Sequence, residues 1–153
     1  MTGLSLTLPL VSPNDWLALT GRLVCAILLG GAIGLDRQKK GKAAGLRTHM
    51  LVSLGSALFV MVPLLTASSS DALSRSIQGV ATGVGFLGAG EIIQQSQEAG
   101  KTEIKGLTTA ASIWVTAALG ILAGCGLWQV SMIGMGLSLV VLAFAKRVEK
   151  HWW

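Results

Sequence analysis

The polar side chains that could do chemistry in this sequence gather in two short blocks between long apolar stretches. These blocks contain carboxylates, guanidinium groups and one imidazole close together in the sequence. The apolar stretches on either side are placed so that both blocks reach the same level of the fold, and we therefore predict one polar cluster. Its members are Asp36, Arg37, Arg47, Thr48, His49, Glu91 and Lys105.

Two kinds of chemistry are open to this cluster. An Arg47–Asp36 or Arg47–Glu91 ion pair would offset part of the cost of burying these charges. Asp36 and Glu91 could also offer oxygen ligands to a hard cation such as Mg²⁺. Several basic residues surround them, however, and we predict no metal site. In the simplest alternative, these residues are ordinary charges exposed to water at the edge of a membrane.

Other patterns with chemical meaning lack the context that they need. The segment 83–88 has the G-x-G-x-x-G spacing of dinucleotide sites, but it lies inside an apolar stretch without the preceding strand of such a site. Cys25 and Cys125 have no positioned base that would make either a nucleophile. His49 has no second histidine at helical spacing. We predict no catalytic residues and no cofactor, and hence no enzyme.

The composition of the chain indicates a membrane protein. Of the 153 residues, 52% are hydrophobic and only 12% are charged, whereas a soluble domain carries about a quarter charged residues. The 20 glycines are roughly twice the share expected from an average usage of about 7%. These figures exclude a disordered chain, a coiled coil and an ordinary soluble enzyme.

Long apolar stretches predict transmembrane helices, because about 20 helical residues cross about 30 Å of hydrocarbon. The first three stretches are 16–35, 48–67 and 76–95. The uncharged stretch 106–145 would be about 60 Å long as one helix. It must therefore fold back, and the glycines on either side of Cys125 are the expected breaker. We predict an all-α protein with five transmembrane helices.

The basic residues set the predicted orientation. Most of the 12 lysines and arginines fall in 36–47, 96–105 and 146–153, which five crossings place on one side. Because loops rich in Lys and Arg stay in the cytoplasm, we expect the N-terminus outside and the C-terminus inside. The domains are then an extracytoplasmic tail over 1–15, a membrane domain over 16–145 and a basic cytoplasmic tail over 146–153. The net charge of +5 reflects this topology, and we expect membrane lipids rather than nucleic acid as its partner.

Rows of small residues at every fourth position predict where the helices pack, since lipid gives no hydrophobic drive for association and close backbone approach must supply it. Such rows occur in the first, third and fourth spans, and we expect these three spans to form the tight centre. The intramembrane Arg22 shares the row of the first span and should face protein, either as an anchor or as a functional group. The predicted packing residues are Gly30, Gly34, Gly79, Gly83, Gly85, Gly88, Gly90, Thr108, Ser112, Thr116 and Gly120.

Four sequence blocks resemble the signature of the MgtC/SapB family. They are Gly34–Arg37, Gly45–His49, Gly85–Gly90 and Gly106–Ser112, and their order and spacing are specific. The resemblance extends over about 16–145. Glu91 departs from the pattern, because we expect an apolar residue after Gly-Ala-Gly. The longer members add a soluble C-terminal domain, so the shorter SapB-like form is the closer match.

The resemblance implies a bacterial inner-membrane protein of five spans. The better-known members support growth in low magnesium and survival inside host cells. They are thought to bind the membrane sector of the F-type ATP synthase rather than to carry Mg²⁺, although the family is also described as associated with magnesium transport. The resemblance implies that the important residues are those of the matched blocks, namely Asp36, Arg37, Gly45, 47–49 and the segments 85–90 and 106–112.

We therefore expect a small membrane regulator that docks through its glycine-rich helices onto another membrane protein or onto a second copy, most simply as a homodimer. The basic loop 36–47 would meet anionic lipid headgroups. The alternative is an oligomeric transporter or channel for an ion such as Mg²⁺, in which the third span unwinds and the charged residues line a path.

Overall fold

The computed structural model describes residues 14–66, 69–98 and 104–152, without the side chains of 97–98 and 145–152. Over these residues the secondary structure is helical, with no strand, and the predicted all-α fold is confirmed. The five helices are α1 (Trp16–Lys39), α2 (Leu46–Leu65), α3 (Ser70–Glu98), α4 (Leu107–Gly124) and α5 (Trp128–Trp152).

Four of these helices, α1 to α4, are long and apolar enough to cross a membrane. The apolar part of α5 is shorter and covers Trp128–Phe144. The helix then continues through Trp152, so that most of the segment 146–153, predicted as a tail, is helical. The predicted tail 1–15 lies almost wholly outside the described residues. The chain is a multi-pass helical membrane protein.

Local signals begin and end the first two helices. Asp15 caps α1 through its side chain, which accepts a hydrogen bond from a backbone N–H of the first turn (3.1 Å). The connection to α2 is shorter than the predicted loop 36–47, because α1 continues to Lys39. Arg, Gln and Lys are good helix formers whose long side chains can reach water from a helix end. The side chain of Gln38 then accepts a hydrogen bond from the Leu46 N–H (3.1 Å) and caps the start of α2.

The turn between α4 and α5 lies where the sequence predicts a breaker. Helix α4 ends at Gly124, and Cys125 follows as a buried residue of the turn. Gly126 has a φ of 79°, a left-handed conformation that glycine adopts without steric cost. The predicted helical hairpin is therefore confirmed.

Two long-range hydrogen bonds show the directions of the helices. Arg22, near the start of α1, donates to the carbonyl oxygen of Gly124 at the end of α4 (2.9 Å). Lys40, just after α1, donates to the carbonyl oxygen of Leu142 in the second half of α5 (3.2 Å). Helices α1 and α5 therefore run in the same direction, and α4 runs against them. We call the end with Lys40 and the starts of α2 and α4 the basic end, and the end with Gly124 the turn end.

The centre of the bundle is α2, which packs between α1 and α4. A β-carbon on Gly30 of α1 would lie 2.5 Å from the carbonyl oxygen of His49. A β-carbon on Gly120 of α4 would lie 2.8 Å from the carbonyl carbon of Ser53. The prediction that the first, third and fourth spans form the centre is therefore wrong for the third span. Helix α2 takes its place because Ser53 and Ala57 are small and one turn apart, which lets two neighbours approach.

Candidate functional site

The basic end brings together only part of the predicted polar cluster. Arg37 and His49 are buried, with exposed fractions of 2% and 0%. Arg47 and Thr48 precede His49 in the first turn of α2 but are exposed, because successive helical residues point about 100° apart. Only His49 of the three faces α1 and α4.

The ion pairs of this end differ from the predicted ones. The carboxylate of Asp36 pairs with Lys40, at 2.8 Å between Oδ1 and Nζ. Glu91 accepts a hydrogen bond from the side chain of Gln95. Both partners lie four residues away, the spacing at which helical side chains meet. The predicted Arg47–Asp36 and Arg47–Glu91 pairs are therefore wrong, because nearer partners within the helix or at its end take both carboxylates.

Glu91 lies in the last third of α3, and Lys105 lies in the connection from α3 to α4. Lys105 is exposed, and its backbone N–H donates to the hydroxyl of Ser96 (3.2 Å). Gly106 follows with a φ of 88°, where a β-carbon would lie 3.3 Å from the carbonyl oxygen of Glu91. These two residues thus mark the start of α4 rather than the surroundings of the buried His49.

His49 links α2 to α4 through a chain of polar atoms. Its Nδ1 lies 2.9 Å from the carbonyl oxygen of Gly45, and its Nε2 lies 3.2 Å from Oγ of Ser112. Ser112 Oγ also donates to the carbonyl oxygen of Thr109 (2.7 Å). A carbonyl oxygen only accepts, so Nδ1 carries a hydrogen. Since a serine hydroxyl has one hydrogen, Nε2 and the Thr109 carbonyl compete for it whenever the ring is neutral.

Arg37 is a buried guanidinium whose donors are only partly used. Its Nε and Nη2 atoms are buried and have no hydrogen-bond partner. The preceding Asp36 acts on Arg37 through its charge but contacts Lys40 Nζ with both oxygens, at 2.8 and 2.9 Å. The charge of Arg37 also acts on His49. Because a buried charge without hydrogen-bonding partners is costly, Arg37 is the strongest candidate for a binding group at this end.

Arg22 belongs to the turn end. Its Nη1 donates to the carbonyl oxygen of Gly124, and a β-carbon on Gly126 would lie 2.8 Å from its Nη2. Arg22 therefore fastens α1 to the turn between α4 and α5. Of the two roles left open by the sequence, this contact favours the anchor.

The predicted packing glycines divide into two groups. Gly30 and Gly120 lie against α2, and so does Gly34, where a β-carbon would be 2.7 Å from the Cα atom of Leu46. Gly88 of α3 contacts Ala110 of α4. The remaining glycines have no atom within 4 Å of the β-carbon position, and they therefore bring no described helix close. These are Gly79, Gly83, Gly85 and Gly90, all in α3.

The predicted packing residues of α4 also divide by position. Ser112 and Thr116 are buried, and the hydroxyl of Thr116 donates to the carbonyl oxygen of Ser112 (2.8 Å). Thr108 is exposed in the first turn of the helix. Buried hydroxyls that bond within their own helix leave a smooth surface for a neighbouring helix, which fits the close approach of α2 at Gly120.

Two open apolar grooves run along the bundle. The larger has a volume of about 570 Å³ and lies between α2 and α3. We call it the α2/α3 groove. It is lined by Leu51, Val52, Gly55, Ser56 and Phe59 of α2 and by Ser76, Gly79, Val80, Gly83, Val84 and Leu87 of α3.

The second groove has a volume of about 280 Å³ and lies where α5 covers α1 and α4. We call it the α5 groove. It reaches the basic end, because Leu142 and Thr108 belong to it. It is lined by Ile33, Thr108, Ala111, Ser112, Val115, Leu137, Ser138, Val141 and Leu142.

The described part of the chain offers no cluster of metal ligands. No three side chains of His, Cys, Asp or Glu lie there in an arrangement that could hold a metal ion. The carboxylates of Asp36 and Glu91 contact Lys40 and Gln95 instead. A cation would have to displace these partners before it could use either carboxylate.

Sequence reasoning missed three features of the site. The pairing of Asp36 with Lys40 could have been predicted from their spacing of four residues. The burial of Arg37 next to His49 depends on the approach of α1 to α2, and the sequence carries only an indirect signal of it in Gly30 and Gly34. Nothing in the sequence indicates which edge of the Arg37 side chain lacks an acceptor.

Most of the chain is similar to known proteins. The family model described as MgtC family matches residues 23–151. Protein SrpB of Synechococcus elongatus is 52% identical over 148 residues, which make up 92% of this chain and 81% of that protein. The "Putative magnesium transporter YhiD" of Escherichia coli is 45% identical over 128 residues, 79% of this chain and 57% of that protein. Protein MgtC of Brucella abortus is 41% identical over 115 residues, 73% of this chain and 46% of that protein.

No solved structure matches the chain. The chain spans little more than half the length of YhiD and less than half that of the Brucella MgtC, and the comparison with these two proteins concerns the matched part of each. SrpB, in contrast, is matched over most of its length. Together with the four signature blocks, the family match over most of the sequence shows that the chain belongs to the MgtC family.

Proposed function

We propose that this protein is a membrane regulator that acts by receiving a helix of another membrane protein, or of a second copy, in the α2/α3 groove. The observation that carries the proposal is the open face of α3, where no atom of the described residues lies within 4 Å of the β-carbon positions of Gly79 and Gly83. The family resemblance connects this role with magnesium limitation and with the membrane sector of the F-type ATP synthase.

The surroundings of the α2/α3 groove favour protein over lipid as its neighbour. Only 17% of the 18-residue apolar stretch of α3 is buried in the bundle, the lowest share among the four long apolar helices. Gln78 and Thr82 are exposed on α3 beside Gly79 and Gly83. An amide or hydroxyl facing hydrocarbon loses its hydrogen bonds, whereas a neighbouring helix can supply them. Open glycines also let the backbone of such a helix come close.

The proposed setting is the bacterial inner membrane, with five crossings, the N-terminus outside and the C-terminus inside. The Lys40–Leu142 contact supports a crossing by α5, because it places the second half of α5 at the basic end. Lys39, Lys42 and Arg47 are also at this end and are exposed, which supports a cytoplasmic location. Reporter tags at position 42 and at the N-terminus should report opposite sides, and tags on the same side would contradict this topology.

The docking proposal is tested by Gly83→Leu, with Gly136→Leu as its matched control. Both glycines have no atom within 4 Å of the β-carbon position, but Gly83 lines the α2/α3 groove and Gly136 lies on α5. We expect Gly83→Leu to fill the groove and to abolish cross-linked products in native membranes, and Gly136→Leu to leave them unchanged. Both variants should melt like the wild type in detergent.

The masses of the cross-linked products identify the occupant. A product of twice the chain mass indicates a homodimer, and a product that contains subunits of the ATP synthase membrane sector indicates that partner. If Gly83→Leu leaves every product at its wild-type yield, the groove is not a docking site.

A second candidate function is an oligomeric transporter or channel for an ion such as Mg²⁺, and the description of the relative YhiD as a magnesium transporter favours it. Its path would need the carboxylates at the basic end, where Asp36 and Glu91 contact Lys40 and Gln95. Uptake of Mg²⁺ into proteoliposomes that disappears in Glu91→Gln would favour transport. Equal uptake with wild-type protein and with empty liposomes would count against it.

A further inference from the structure

The two free donors of Arg37 lie on one edge of its guanidinium group. Nε–H and the outward N–H of Nη2 are parallel, and this pair is one of the edges through which arginine binds carboxylate or phosphate with two hydrogen bonds. Both nitrogens are buried and without a partner. The chemistry of this edge therefore calls for an oxyanion that presents two oxygens side by side.

Arg37 lies beside the basic end of the α5 groove. Ile33, which lines the groove, is one helical turn before Arg37 on the same buried face of α1. At the same end, Lys40 Nζ donates to the carbonyl oxygen of Leu142, another residue of the groove wall. A ligand that fills the groove and reaches its basic end thus meets the part of the bundle where Arg37 is buried.

The walls of the α5 groove suit an alkyl chain. Val115, Leu137 and Val141 give it a mostly apolar lining, and burying apolar surface of a ligand against such a lining is favourable. Ala111, Leu137 and Val141 of its walls are exposed, so the groove opens at the surface of the bundle. A free inorganic anion would make no use of this surface, whereas a phospholipid has an alkyl chain for the groove and a phosphate for Arg37.

The charges of the basic end select among phospholipids. Lys39, Lys42 and Arg47 are exposed there, while the carboxylate of Asp36 contacts Lys40. A surplus of positive charge attracts an anionic headgroup and repels the ammonium group of a zwitterionic one. We propose that the α5 groove and Arg37 form a binding site for one anionic phospholipid, with an acyl chain in the groove and the phosphate on the Nε–Nη2 edge of Arg37.

Binding requires a small opening of the bundle, because the free edge of Arg37 is covered. The hydrogen bond from Lys40 to Leu142 connects the end of α1 to α5. It is a single contact of a partly exposed side chain, so a phosphate can compete for the same ammonium group. The site uses residues outside the α2/α3 groove, and it does not depend on the docking proposal.

The experiment is native mass spectrometry of the full chain in neutral detergent. The ligands are a phosphatidylglycerol, a phosphatidylethanolamine with the same acyl chains, and inorganic phosphate. We expect one phosphatidylglycerol per chain to be retained in preference to phosphatidylethanolamine. Arg37→Gln should weaken this binding by about tenfold or more, the loss expected for a hydrogen bond to a charged group. Arg47→Gln, an equal change of charge at an exposed position of the same end, should change it by less than about twofold.

A second variant keeps the proposal testable if Arg37→Gln fails to fold. Ala111→Leu fills the α5 groove from an exposed position of α4 and should displace phosphatidylglycerol with Arg37 intact. Wild-type binding in both Arg37→Gln and Ala111→Leu would overturn the proposal. The proposal would also be overturned if Ala111→Leu still bound phosphatidylglycerol and inorganic phosphate displaced this lipid equally from the wild type and from the variant. That result would identify a site for free anions.

Discussion

The close contact between α2 and α4 at Gly120 makes a sharp prediction about stability. In Gly120→Ala the new methyl group would collide with the backbone of Ser53, whose Cα atom and carbonyl carbon would each lie 2.8 Å from it. Real β-carbons essentially never come this close to another heavy atom. Neither helix can yield by rotating a side chain, because the obstacle is backbone. The two helices must therefore move apart, and their contacts above and below Gly120 weaken.

The expected loss follows from two opposing effects. Overpacking a well-packed interior costs about 1–3 kcal/mol and occasionally more. Replacement of glycine by alanine in a helix returns up to about 1 kcal/mol. Because the clash at Gly120 is with backbone, we take the upper part of the first range and expect a net loss of about 2 kcal/mol in the free energy of unfolding.

The matched control is Gly83→Ala in α3, where no atom lies within 4 Å of the new methyl group. The isolated protomer should then be as stable as the wild type or up to about 1 kcal/mol more stable. Unfolding in mixed micelles of detergent and denaturing surfactant, followed by tryptophan fluorescence, measures both variants. Wild-type stability of Gly120→Ala would refute the proposed packing of α2 against α4. A loss in monomeric Gly83→Ala equal to that in Gly120→Ala would refute the open face of α3.

Three further predictions concern single side chains. Ser112→Ala removes the contact of His49 Nε2 and should lower the free energy of unfolding by about 1–3 kcal/mol, the cost of an unsatisfied buried group, whereas Thr108→Ala at an exposed position should change it by less than about 0.5 kcal/mol. Arg22→Met removes the hydrogen bond to Gly124 and should cost about 1 kcal/mol, with faster proteolysis at the α4–α5 turn as a second measurement; unchanged proteolysis and melting would argue against the anchoring role. Burial raises the pKa of the Cys125 thiol, and the charge of Arg22 opposes this rise. The pKa of this thiol is higher in the folded state than in the unfolded state. Its contribution to the free energy of unfolding is therefore fully present below the ordinary thiol pKa of 9.0 and is lost as the pH rises above it. The melting temperature of the wild type should therefore fall more than that of Cys125→Ala between neutral pH and about pH 10, and identical curves would contradict this prediction.

Much of the helical architecture could be predicted because it follows from length and hydrophobicity. The predicted stretch 16–35 begins where α1 begins, at Trp16, and the predicted pair of glycines on either side of Cys125 forms the turn at Gly126. The predicted stretch ends at residue 35, whereas α1 continues through charged residues to Lys39. Charge indicates the edge of the hydrocarbon, whereas backbone hydrogen bonds define the end of a helix.

The packing of the helices was harder to predict than their positions. A row of small residues shows that a helix can approach another closely, but it does not name the partner. The rows with Gly30 and Gly120 pack against α2 at Ser53, whereas no atom of a described helix lies within 4 Å of the β-carbon position of Gly83. The polar cluster failed in part for the same reason. Arg37 and Asp36 are adjacent in sequence, yet one is buried in the bundle and the other pairs at its edge.

The central place of α2 has a consequence for biogenesis. Synthesis proceeds from the N-terminus, so α3 leaves the ribosome before α4, although α4 supplies the second close neighbour of α2. A nascent chain that ends after α3 has only one tight helix pair, α1 with α2. The bundle is thus completed late in translation, when α4 inserts against a helix made two segments earlier and α3 is left at the periphery with one face open.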